Sequence, residues 1–293
     1  VWRVSEDGEL RDPFKKLTTV FQMSEEMFFL HYGKDGCNRH VLIDECRELF
    51  GEIYEQIPEL PFCNIWTAMQ LSSRLPKGAL FHMGVSNTRR CWNMFQLPES
   101  VESACNVGCC GIDGCVSTLV GASLVNPDRL CYVVVGDLTF FYDLNSLGNH
   151  HIGTNLRVML VNNGRGTEFR LGIHHCNVFG DDADKYMAAA GHFGNKSPLL
   201  VKHYAEDLGF HYLSATTKEE FMTALSNFTN PQLSDHSMIL EVFTDSKDES
   251  EALYLMSHIQ SDAKGMVRSK LKDAVRNVAG EKGINAIKKI LKK

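Results

Sequence analysis

The segment 133–164, VVVGDLTFFYDLNSLGNHHIGTNLRVMLVNNG, decides how the rest of the chain is read. Residues 130–136 and 156–162 are rich in Val and Leu, the nearly continuous apolar pattern of strands buried on both faces of a parallel sheet. The residues between them suffice for one crossover helix, expected over about 140–147, with its loops. Such a β–helix–β unit is right-handed, which makes the strands parallel and puts their carboxyl ends on one edge. Asp137 leaves the first strand there, and Asn163 leaves the second. Ligands of open parallel sheets gather at that edge. One carboxylate, one carboxamide and a free main-chain carbonyl in the Asn-Gly-Arg-Gly turn at 163–166 form an oxygen-donor set suited to Mg²⁺, with phosphate and water completing its octahedron. Gly136 and Gly164 let the backbone approach a diphosphate closely. Taken singly, Gly-Asp reads as a strand-end turn and Asn-Asn as a capping loop, neither binding anything. Their pairing at crossover spacing favours a metal–diphosphate site.

The alternation of strands and helices continues outward. Residues 78–84, 210–215 and 237–245 read as strands, and 196–208 and 218–227 as helices. The expected fold class is therefore α/β, a doubly wound parallel sheet over 76–260. Ahead of it, 1–20 is expected to pass through a turn at Asp7-Gly8 into a helix. Residues 40–57 form an amphipathic helix with Leu42, Cys46, Leu49, Phe50 and Ile53 on one face, and 62–75 another that stops near Pro76. Residues 1–75 thus read as the end of a middle domain plus lead-in helices. Residues 261–293 read as a basic helical tail, with Leu271, Val275 and Val278, then Ile284, Ile287 and Leu291, at helical spacing.

Of 293 residues 44% are apolar, enough for a sizeable core, and the charged fraction of 23% is ordinary for a soluble protein. No apolar run approaches the ~20 residues that span a bilayer, and nothing at the start resembles a signal peptide, so a cytoplasmic chain without membrane spans is expected. Its first residue is Val, from which we expect a piece cut from a longer polypeptide. The formal net charge of −6 is unevenly spread. Residues 264–293 carry ten Lys and Arg against Asp273 and Glu281, a surplus of +8, which leaves the body at about −14. An acidic body argues against nucleic acid as the main partner, and the tail reads as helices packed on that body rather than a membrane or nucleic-acid anchor. Ten cysteines are scattered without any C-x-x-C pair, which favours reduced thiols over zinc or disulfides.

Two longer motifs carry a resemblance. CNVGCCGIDGCVSTLVGAS (105–123) and GDLTFFYDLNSL (136–147), followed by the Asn-Asn pair, resemble the cofactor signature of thiamine diphosphate enzymes. The resemblance is strongest to the 2-succinyl-5-enolpyruvyl-6-hydroxy-3-cyclohexene-1-carboxylate synthase family, whose motifs have the forms N-R-G-x-x-G-I-D-G-x-x-S-T and G-D-L-x-x-x-Y-D-L-N. It covers roughly 80–245 and is specific within 105–163. It implies thiamine diphosphate and Mg²⁺ as cofactors and a diphosphate-binding domain as the fold. By the same resemblance, Asp137 and Asn163 would ligate the metal through side chains and Arg165 through its carbonyl, with Gly136, Leu138 and Thr139 at the diphosphate. Ile112 would sit beneath the cofactor, and the Cys110 carbonyl and Ile112 N–H would hold the pyrimidine edge. Ser86, Asn87 and Arg90 would lie near cofactor and substrate carboxylate, with Arg89 an alternative register for the arginine.

Two departures bear on the substrate. The family's arginine in N-R-G is Val107 here, and an isopropyl group cannot replace a bidentate cation. Glu168 stands where the family has an apolar residue. The resemblance further implies decarboxylation of a 2-oxo acid, with or without carboligation, and an activating glutamate supplied by a separate pyrimidine-binding domain. Residues 1–75 are too short and too helical to be that domain. The chain is therefore expected to hold no catalytic residue of its own and to be inactive alone. Its partner would be a pyrimidine-binding domain of the same or another chain, within a homodimer or higher oligomer. Two alternatives stay open: a subunit of a two-chain decarboxylase of the sulfopyruvate or phosphonopyruvate kind, and a non-catalytic module that keeps the fold.

Overall fold

The computed structural model describes residues 1–33, 41–108, 110–172, 174–187, 194 and 196–259. The chain divides between Gln56 and Ile57 into two compact units. In the first, β1 (Trp2–Val4) pairs in parallel with β2 (Thr19–Phe21), and α1 (Glu25–Tyr32) and α2 (Val41–Glu55) follow. The helix expected after Asp7-Gly8 is not formed. The β-branched Thr19 and Val20 instead pair with Trp2 and Arg3, and Phe21 packs at tilted and edge-on angles against Trp2 and Phe28 at centroid distances of 5.3 and 5.0 Å. Ser24 caps α1, its hydroxyl accepting the Met27 N–H at 3.3 Å.

The second unit opens with α3 (Asn64–Leu71) and thus takes in a segment expected to belong to the lead-in. It continues through β3 (Leu80–Met83), α4 (Asn87–Trp92), β4 (Glu102–Cys105), α5 (Cys115–Val125), β5 (Cys131–Gly136), α6 (Asp137–Asp143) and β6 (Leu156–Asn162). It ends with α7 (Ala183–Tyr186), α8 (Leu200–Asp207), β7 (His211–Ala215), α9 (Lys218–Phe228), β8 (Met238–Phe243) and α10 (Ser246–Ser257). The six strands from β3 onward form one all-parallel sheet in the order β4-β3-β5-β6-β8-β7. The expected basic tail, 261–293, lies outside the described residues.

Alternation along the central strands explains the two layers of helices. Tyr132, Val134, Met159, Val161, Leu240 and Val242 point to one face, where they pack with Ile65, Trp92, Phe221 and Ala252 of α3, α4, α9 and α10. Cys131, Val133, Val135, Leu156, Val158 and Leu160 point to the other, against Val116, Phe140 and Val201 of α5, α6 and α8. Every residue of β6 is buried. β4 has no such pattern: Glu102, Ser103 and Ala104 are exposed on this edge strand, which is why no sequence period announces it.

One feature of the strand order positions the site. From β3 the chain moves outward to β4, then returns to form β5 on the opposite side of β3. The carboxyl ends of β3 and β5 therefore diverge into a crevice, the place where parallel α/β sheets bind ligands.

Candidate functional site

A cleft of about 150 Å³ opens at this crevice. Ser86 and Asn87, after β3, form one wall, and Ile112, ahead of α5, lies on the lining with them. Gly136, Asp137, Leu138 and Thr139 enter where β5 becomes α6, and Asn163 and Arg165 where β6 ends. The structure thus gathers nearly all of the expected residues in one place. Cys110 and Arg90 are not part of the lining.

The register accounts for the juxtaposition of acid and amide. Gly136 is opposite Val161 in the β5–β6 ladder, so both chains leave the sheet at the same level. Asp137, only 2% exposed, is the first residue of α6, and its Oδ1 accepts the Leu138 N–H at 2.8 Å. The two asparagines divide their work because successive side chains alternate across a strand. Asn162 turns under the sheet edge and donates to Glu241 Oε1 at 2.7 Å, whose other oxygen takes the Tyr212 hydroxyl at 2.7 Å. Asn163 stays on the cleft lining, and its Oδ1 accepts the Arg165 N–H at 3.4 Å around Gly164, whose φ of 81° suits glycine.

The surroundings are electronegative. Burial raises the pKa values of Glu241 and Glu249, each 1% exposed, and the charge of Asp137 adds a smaller contribution in the same direction. Burial pushes Glu249 up to about 7. Among the described residues no three His, Cys, Asp or Glu side chains are grouped to hold a metal. A cation here would depend on one carboxylate, amide and main-chain oxygens, and ligand phosphate, which suits a hard ion such as Mg²⁺ better than zinc.

Two further observations bear on whether an oxyanionic ligand fits. A Cβ built on Gly136 would meet nothing within 4 Å, so the space beside this glycine is open. Thr167, 4% exposed and on the lining, has a hydroxyl with no hydrogen-bond partner among the described residues. A buried hydroxyl left unpaired is costly, and a ligand oxygen would satisfy it.

The arginine expected at the substrate is not on the lining but is paired with a residue that is. Arg90 Nη1 and Nη2 donate to Glu168 Oε2 and Oε1 at 2.7 and 2.9 Å, a two-point ion pair that reaches from α4 to the turn after β6. That carboxylate raises the Arg90 pKa. Arg89 is exposed. Sequence reasoning singled out Glu168 only as a departure and missed Asn64, which also lines the cleft. Asn64 lies in α3, far before the sheet-edge motifs, and no local pattern marks it.

No helix among the described residues is long and apolar enough to cross a membrane. No protein-family model matches the chain. It is 33% identical over 258 residues to the 2-succinyl-5-enolpyruvyl-6-hydroxy-3-cyclohexene-1-carboxylate synthase of Bacteroides fragilis, covering 86% of this chain and 44% of that protein. It is 32% identical over 260 residues to the protein of the same name from Phocaeicola vulgatus, covering 86% and 43%. The one from Flavobacterium psychrophilum is 30% identical over 248 residues, covering 82% and 42%. The chain spans less than half the length of these curated relatives.

Proposed function

Because this chain is related to the 2-succinyl-5-enolpyruvyl-6-hydroxy-3-cyclohexene-1-carboxylate synthases over most of its length, we propose that it is the diphosphate-binding part of a thiamine diphosphate-dependent enzyme. The enzyme would act on a 2-oxo acid, by decarboxylation with or without carboligation. The observation that carries this reading is the shared cleft of Asp137 and Asn163 at the carboxyl ends of neighbouring parallel strands.

When bound, thiamine diphosphate supplies the carbanion that a 2-oxo acid needs in order to lose carbon dioxide. The chain's own residues bind and orient. Asp137 and Asn163 side chains and the Arg165 carbonyl would hold Mg²⁺, and the open side of Gly136, with Leu138 and Thr139, would admit the diphosphate. Thr167 would give its hydroxyl to a phosphate oxygen. Ile112 supplies an apolar surface on the lining, against which a ring can pack. The buried network of Asn162, Glu241 and Tyr212 fixes the strand end that carries Asn163. The group that activates the pyrimidine would come from a pyrimidine-binding domain, on the same longer polypeptide or on another chain, and the active site would form where the two domains meet in a dimer or larger oligomer.

Calorimetric titration with thiamine diphosphate, with and without Mg²⁺, tests this reading. Wild type should bind only when the metal is present. Asp137→Ala should weaken that binding at least about tenfold, as expected when a charged ligand to a buried cation is lost. Equal binding by wild type and variant, or binding indifferent to Mg²⁺, would remove the metal-site assignment.

A further inference from the structure

Asn64 lines the cleft although it belongs to α3, a helix that precedes every strand of the six-stranded sheet. Two contacts hold it there. Its main-chain N–H donates to Glu249 Oε1 at 3.0 Å, and its Oδ1 accepts the Trp92 indole N–H at 3.0 Å. Trp92 is 1% exposed and packs on Phe81 of β3 with ring centroids 5.1 Å apart, so the indole is itself fixed. An indole N–H can only donate, so the atom facing it must be the amide oxygen. The orientation of the Asn64 amide is thereby decided, and Nδ2 is the end left over. That NH₂ group has no hydrogen-bond partner among the described residues, on a residue only 3% exposed.

We propose that Asn64 is a ligand-binding residue: its Nδ2 donates a hydrogen bond to an oxygen of the cofactor's diphosphate, alongside the Thr167 hydroxyl. This rests on the reading of the cleft as the diphosphate site. The physical reason is a match of donors to acceptors. Thr167, 4% exposed, brings a second unpaired hydrogen-bonding group to the same lining. Buried donors without partners are costly, and together they call for a ligand rich in acceptors. The oxygens of a metal-bound diphosphate are acceptors, and a hydrogen bond to a charged oxygen is roughly twice as strong as one between neutral groups. Trp92 and Glu249 are positioning residues. Held from both, the amide need not be ordered when the ligand arrives.

The test is calorimetry on the full chain with Mg²⁺, using thiamine diphosphate and, by displacement of it, inorganic pyrophosphate. N64A removes the amide without adding charge, and it should weaken both ligands by the same factor, at least about tenfold. N64D keeps the side-chain shape and the oxygen that Trp92 needs, but puts a carboxylate oxygen where the donor was. It should weaken both ligands at least as much, and it carries the test alone if N64A melts too low to be titrated. Unchanged affinity in either variant overturns the proposal. So does weaker thiamine diphosphate with unchanged pyrophosphate, which would put the amide against another part of the cofactor. Failure of pyrophosphate to displace the cofactor from wild type overturns it as well, because the diphosphate would then not be the group held. If thiamine diphosphate does not bind wild type at all, the reading of the cleft falls first, and this proposal with it.

Discussion

Glu249 Oε1 accepts the main-chain N–H of Asn64 at 3.0 Å, tying α10 to the first turn of α3 across 185 positions of sequence. The same oxygen takes the Thr244 hydroxyl at 2.8 Å, and Asn64 Oδ1 receives the Trp92 indole N–H at 3.0 Å. Asn64 is on the cleft lining, so this buried carboxylate braces the wall of the candidate site from behind.

Burial raises the Glu249 pKa from 4.5 to about 7. Below the ordinary value both the folded and unfolded chains carry the proton, and the group contributes nothing. Between 4.5 and about 7 the unfolded chain ionises while the folded one stays protonated, so stability falls as pH rises. Above that window the loss is constant, on the order of 3 kcal/mol. Glu249→Gln resembles the protonated acid and keeps the accepting oxygen. It should melt higher than wild type at about pH 8, and the difference should vanish on acidification to about pH 4.5. Melting curves across that range check this, and a difference independent of pH would contradict it.

Asp143 anchors α5 from outside. Its Oδ2 accepts the Ser117 N–H at 2.7 Å and the Ser117 hydroxyl at 3.1 Å, satisfying a first-turn donor that has no partner within the helix. Asp143→Ala should lower stability by about 1–3 kcal/mol, measured by urea unfolding. A smaller change would mean that water replaces the carboxylate at no cost.

Gly136→Ala separates folding from binding. The position has an ordinary extended φ of −77°, and a Cβ there would touch nothing within 4 Å. Stability should therefore stay within about 1 kcal/mol of wild type. The added methyl would occupy the open side of the cleft, and affinity for thiamine diphosphate with Mg²⁺ should fall at least about tenfold. Calorimetry beside a thermal melt reads both, and undiminished affinity would place the diphosphate elsewhere.

Thr167→Val should move the same two quantities in opposite directions. Its hydroxyl is buried and unpaired among the described residues, so an isosteric methyl removes a desolvation cost and should leave stability unchanged or raise it by about 1 kcal/mol. Cofactor binding should weaken, because the oxygen that would meet a phosphate is gone. Loss of stability on substitution would show that the hydroxyl is satisfied in solution by water.

Much of the fold is legible along the chain. Burial leaves a local record: nearly continuous apolar runs at β5, β6 and β8 mark strands covered on both faces, and the Gly-Asp and Asn-Asn pairs stand at their ends. Parallel crossovers then allow essentially one placement of those ends, which is why Asp137 and Asn163 share a cleft as the spacing requires. The exposed edge strand β4 left no period, and the pairing of Thr19–Phe21 with Trp2–Val4 displaced an expected helix.

Which side chains meet is settled by packing between distant parts of the chain. Arg90 finds Glu168 78 positions away, and Asn64 finds Glu249 185 away. Neither pair lies within the reach of a helix turn or a strand repeat, so no periodicity encodes it. Amino-acid order fixes which faces are apolar and where chains must turn, because those follow from local geometry and hydration. Charge partners are chosen when the sheet closes and brings distant loops to one edge, and here that choice turns an arginine expected to meet the substrate toward the protein's own carboxylate.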